Sequence, residues 1–107
     1  MGDPKSSDRI TQALVLWKKF PDNDLSRYNL AQTYFDASDF TDAAEHLRPL
    51  CAKKSDWMVV HILLGKSLIA LDRPEEARPI LEHALRLAIA QHHDGPREEL
   101  TELLNNF

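Results

Sequence analysis

Leu30-Ala31-Gln32-Thr33-Tyr34 and Leu64-Gly65-Lys66-Ser67-Leu68 are the two stretches that decide the fold. They lie 34 residues apart, and the same step joins Phe40 to Pro74, Ala43 to Ala77, Leu47 to Leu81 and Leu50 to Ala84. A constant step of this length is the signature of helical hairpins stacked on one another, each burying its apolar face only against its neighbours. Working outward from these stretches, apolar residues at helical spacing predict six helices and no strand. They run from about Arg9 to Lys19, Leu25 to Ala37, Thr41 to Lys53, Trp57 to Leu71, Glu75 past Ala90, and Arg97 to Asn105.

The boundaries have local causes. Ser7 or Asp8 can cap the first helix, and Phe20-Pro21-Asp22-Asn23 stops it, since proline restricts the residue before it and Asx residues favour turns. Asp39 or Thr41 can cap the third. Pro74 suits the opening of the fifth, where its missing N–H is no loss. Asp94-Gly95-Pro96 reads as the breaker that ends the fifth helix. Pro49 and Pro79 fall inside helices, so kinks are expected there, or a later start for the helix holding Pro79. The segment from Trp57 to Leu71 is apolar almost all round, which predicts burial on most sides.

The bulk composition narrows the function classes. A chain of 107 residues with 43% hydrophobic residues makes one small domain. A net charge of −4 argues against a nucleic-acid partner, which would call for a basic field. No run approaches the roughly 18 apolar residues of a membrane span, and the polar opening MGDPKSSDR lacks a secretory core, so a cytoplasmic location is expected and no membrane partner. Cys51 stands alone, which rules out an internal disulfide and suits a reducing compartment.

The paired stretches resemble the tetratricopeptide repeat family. Its large, small and aromatic sites are matched by Leu30, Ala31 and Tyr34, and its small residue on the second helix by Ala43; the next repeat supplies Leu64, Gly65, Leu68, Ala77 and Ala84. Departures are Leu50 for a small residue, Leu68 for an aromatic, and Arg27 and His61 where a tryptophan is common. The resemblance implies an all-α fold of antiparallel helical hairpins stacked as a short right-handed α-solenoid. The expected organisation is a disordered lead-in over 1–8, then a single domain over 9–107: a half repeat 9–23, full repeats 24–57 and 58–91, and a capping helix 96–107 that enters the frame only after two inserted residues. Ala31 or Gly65 is expected to let paired helices approach, with Ala43 or Ala77 opposite.

The resemblance also implies a function. First helices of such hairpins line a concave groove, here through Leu25, Tyr28, Gln32, Phe35, Val59, Ile62, Lys66 and Ile69. This apolar and aromatic set with one cation fits a peptide or an amphipathic helix of a protein partner; the alternative is a scaffold or homodimer built through the same face. The lysine, asparagine and arginine clamp with which some relatives grip a chaperone's terminal carboxylate is not matched.

Catalytic and metal readings are weak. His61, His83, His92 and His93 lack the spacing of a helical zinc site, so neither metal nor cofactor is expected. Cys51 lies five residues from His46 rather than four and reads as a packing residue. With no phosphate loop and no nucleophile motif, the chain reads as a binding module and not an enzyme. Trp17 and Trp57 read as core.

Overall fold

The computed structural model describes the backbone of residues 4–107 and side chains from Ser7 onward. Among the described residues there are six helices and no strand: α1 (Pro4–Lys19), α2 (Asp24–Asp36), α3 (Phe40–Lys53), α4 (Met58–Ala70), α5 (Pro74–Ala90) and α6 (Asp94–Asn105). Each helix packs on the one before and the one after it, and α2 also touches α4. The result is an all-helical repeat, α2–α3 and α4–α5 being its two full hairpins.

The core is built where the 34-residue step places it. Leu30, Ala31, Ala43, Leu47, Leu68, Ala77, Leu81 and Ala84 have no exposed surface. α4 lies at the centre, with Met58, Val60, His61, Leu63, Leu64, Gly65, Ser67 and Leu68 all buried, as expected of its near-uniform apolar composition. Its two polar members are satisfied locally: His61 Nδ1 bonds the Trp57 carbonyl at 2.8 Å, and Ser67 Oγ donates to the Leu63 carbonyl at 2.8 Å. Gly65 lies directly against Leu81: a Cβ on Gly65 would lie 2.6 Å from Leu81 Cγ. The close approach thus pairs the small residue of one helix with a leucine one turn beyond the small residue of the other.

Several boundaries differ from expectation. α1 begins at Pro4, so residues 4–8 of the expected lead-in are helical, while residues 1–3 lie outside the described residues. Ser7 sits inside the helix, its carbonyl accepting from Thr11 Oγ1, and does not cap it. Asp39 is the N-cap of α3 but makes no side-chain capping bond. Asp94-Gly95-Pro96 does not end α5; it forms the first turn of α6, where N–H groups have no intrahelical partner and a proline costs little.

The true stop of α5 is His92, held in the left-handed region at φ 58°. Ser38 and Asp72 do the same after α2 and α4, at φ 62° and 59°. After each, the following N–H reaches back to a helix carbonyl: Asp39 to Tyr34, Arg73 to Leu68, His93 to Ala88, at 2.8, 2.8 and 2.9 Å. These are Schellman-type endings in which a non-glycine residue takes the place glycine usually fills.

Pro49 and Pro79 lie within unbroken α3 and α5, and α5 starts at Pro74, not later. Both rings are exposed, so the carbonyl that each deprives of an N–H is on the solvent side of its helix.

Candidate functional site

Helical spacing puts Tyr28, Gln32 and Phe35 on one face of α2, and Val59, Ile62 and Lys66 on one face of α4. Because α2 and α4 touch, the two faces meet in one open groove of about 220 Å³, lined by these six residues and Leu63. Its floor is apolar. The Tyr28 ring lies tilted against Trp57, ring centroids 5.3 Å apart, and Phe35 meets Phe40 edge-on at 5.3 Å.

The polar groups of the groove are internally engaged. Tyr28 Oη donates to Gln32 Oε1 at 3.2 Å, and Gln32 Nε2 donates to Asp36 Oδ1 at 2.9 Å. Burial, and then the nearby Asp36 charge, raises the Tyr28 hydroxyl above its ordinary pKa, so the phenol stays protonated and keeps its bond to Gln32. Lys66 pairs with Glu99 of α6. The groove consequently has a carboxylate on each rim, Asp36 and Glu99, around an apolar floor.

Two of the expected residues lie elsewhere. Leu25, in the first turn of α2, is 66% exposed and outside this groove. Ile69 lines a second, apolar pocket of about 360 Å³ with Pro74, Leu103, Asn106 and Phe107. The Arg78 guanidinium lies over the Phe107 ring, 4.9 Å from its centroid. Leu63, Trp57 and the two rim carboxylates were not in the expected set. The first two are visible in the sequence only as core residues, and Glu99 joins through the fold alone.

The remaining candidates are structural. Trp17 packs edge-on to His46 at 4.9 Å, with Arg27 5.2 Å above its ring; its buried Nε1 has no hydrogen-bond partner. Arg27 Nε donates to His46 Nδ1 at 3.3 Å, which needs a neutral imidazole. Burial and the Arg27 charge push His46 below its ordinary pKa, consistent with that bond. Cys51 is partly buried and its thiol is pushed up to about 12, chiefly by burial. His61 and His83 stand with ring centroids 4.8 Å apart. Among the described residues no three His, Cys, Asp or Glu side chains gather in a metal-sized group, and no helix is long and apolar enough to cross a membrane.

The comparisons agree with the all-helical repeat fold. The solution structure of protein BPP2914 from Bordetella parapertussis superimposes with a TM-score of 0.77 at 26% identity, over 91% of this chain and 84% of that one. No curated protein matches the sequence. The family model of the anaphase-promoting complex, cyclosome, subunit 3 matches residues 9–84, which takes in α1 from Arg9 onward, both full hairpins except the end of α5, and all of the α2–α4 groove. Repeats of this kind are protein–protein interaction modules, typically without catalysis. Spanning most of the chain, that match establishes that the protein belongs to the tetratricopeptide-like family of anaphase-promoting complex subunit 3.

Proposed function

We propose that the protein is an adaptor that holds a peptide or short helix of another protein in the α2–α4 groove. The observation that carries this reading is the convergence of Tyr28, Gln32, Phe35, Val59, Ile62 and Lys66 on one open, apolar-floored groove. Covering such a floor favours association at roughly 25 cal/mol per Å² of apolar surface removed from water. A cytoplasmic setting goes with this reading, since the lone Cys51 suits a reducing compartment.

The rims refine the ligand. Among the described residues Asp36 bonds only the neutral Gln32 amide and brings an uncompensated charge to one rim, whereas Glu99 is offset by Lys66, so a segment with one or two apolar anchors and a basic residue near Asp36 fits better than an acidic one. The test is affinity capture with the parent and with a Tyr28→Ser, Phe35→Ser, Ile62→Asn variant whose helicity is checked by circular dichroism. Loss of the retained polypeptide by a variant of parental helicity is expected. Equal retention by parent and variant sinks the groove assignment.

A further inference from the structure

In the 34-residue frame α1 has the place of a second helix of a hairpin, and α6 that of a first helix. Between α1 and α2 lies a groove of about 350 Å³ lined by Arg9, Gln12, Ala13, Leu16, Asn29 and Thr33. The residues 34 positions later are Ala43, His46, Leu47, Leu50, Leu63 and Ser67. All of these but His46 are buried, and α2 lies against both helices that carry them. Leu16 is 42% exposed where its counterpart Leu50 is 2% exposed. The α1–α2 groove therefore has the form of a seat for a helix laid as α2 is laid.

We infer that the occupant is α6 of a second copy, so that chains associate head to tail and an intermolecular α6–α1 hairpin repeats the internal α2–α3 one. Three observations carry this. The first is the end-to-end ion pairing of the internal hairpin. Asp24, which opens α2, bridges Lys53 and Lys54 at the end of α3, at 3.0 and 3.5 Å. Asp94 opens α6 as Asp24 opens α2, and Lys19 closes α1 as Lys53 closes α3. Stacking the ends sets Asp94 against Lys19 in the same relation. It likewise sets Arg97 by Gln12, the counterparts of the bonded Arg27 and His46.

The second observation is charge. α1 exposes Arg9, Lys18 and Lys19, with Asp8 alone opposing them, whereas α6 exposes Asp94, Glu98, Glu99 and Glu102 against Arg97. Antiparallel docking puts the acidic first turn of α6 beside the basic last turn of α1. Pairing two α1 faces instead sets like charges together, which costs affinity.

The third is matched polarity. The seat carries Arg9, Gln12, Asn29 and Thr33 where the inner grooves are mostly apolar, and the outward stripe of α6 is Asp94, Arg97, Glu98, Thr101, Glu102 and Asn105. Two polar surfaces meet, with Leu16 and Ala13 at their centre. A contact of this kind between unlike faces does not close on two copies and continues from chain to chain.

Sedimentation velocity on the full chain over a concentration series tests this. The mass is expected to rise past a dimer with concentration, and to fall when salt is raised. Lys19→Glu and Asp94→Lys should each weaken association about tenfold or more, since each faces like charge against like. An equimolar mixture of the two variants should recover parental association, because alternating copies meet through the charge-reversed pair at one junction and through the native Asp94 and Lys19 at the next. The groove variant Tyr28→Ser, Phe35→Ser, Ile62→Asn should associate as the parent does, which separates this surface from the peptide groove. A strict monomer at the highest concentration, a closed dimer, association indifferent to both charge reversals, or no rescue on mixing overturns the inference.

Discussion

Gly65→Ala is the substitution that probes the architecture most directly. Two opposing effects can be sized. Alanine is the better helix former in the interior of α4, by about 0.8–1.0 kcal/mol. Against this, the new Cβ would sit 2.6 Å from Leu81 Cγ, so α4 and α5 must separate, or Leu81 must shift, by about 1 Å to restore ordinary contact. Leu81 is fully buried, and overfilling a packed core of this kind costs about 1–3 kcal/mol. The net expectation is a loss of up to about 2 kcal/mol, read as a lowered urea midpoint with unchanged slope.

The decisive comparison is made in a Leu81→Ala background. That change alone costs about 2–5 kcal/mol but removes the obstructing Cγ. There Gly65→Ala should become stabilising, by about 1 kcal/mol, because only the helix-propensity gain survives. The assay is urea denaturation of the four proteins of the cycle, followed by helical circular dichroism. If Gly65→Ala stabilises equally in both backgrounds, Gly65 is not the contact point of the α4–α5 hairpin.

Other expectations follow from the same packing. His46 and His61 are held below their ordinary pKa, first by burial. The unfolded chain therefore takes up protons first as pH falls below about 6.5, and stability present above that pH is lost on acidification; His61→Gln should flatten the fall below about pH 6.5 in thermal melts. With the Cys51 thiol pushed up to about 12, a disulfide reagent at pH 8 meets only about one thiolate in ten thousand; labelling should track unfolding by denaturant, and fast labelling of the native protein refutes the burial. His92→Gly should raise the urea-measured stability by about 1 kcal/mol, because a left-handed residue other than glycine carries a cost of that order, while a loss would mean that the His92 ring holds the α5–α6 turn.

What is legible in the sequence is the part governed by period. Ala43 and Leu47 recur as Ala77 and Leu81 after 34 residues because each repeat buries the same face, and with Ala31 they form part of the solvent-free core. The same period places six groove residues together. It does not foresee the contribution of α6: Ile69 is at the right spacing but lines another, open pocket with Leu103 and Phe107. Likewise Lys66 finds Glu99, a partner 33 residues away that no local pattern announces. Leu25 has the right phase but stands in the first turn of α2, exposed and outside the groove lining. Asp94-Gly95-Pro96 deceives because its residues break helices in the interior yet are tolerated at a start; the stop is His92, a residue type with no such reputation.

The wiring of the helices has a consequence for how the chain is made. Each helix leans mainly on the one before and the one after, with α2 against α4 as the longer reach. During synthesis every newly released helix meets a docking face already complete behind it, and none must wait for a distant strand to emerge. Short loops between partners favour rapid assembly. A truncation late in the gene should therefore leave an ordered upstream stub, where a sheet protein cut at the same point would be left with unmatched edges.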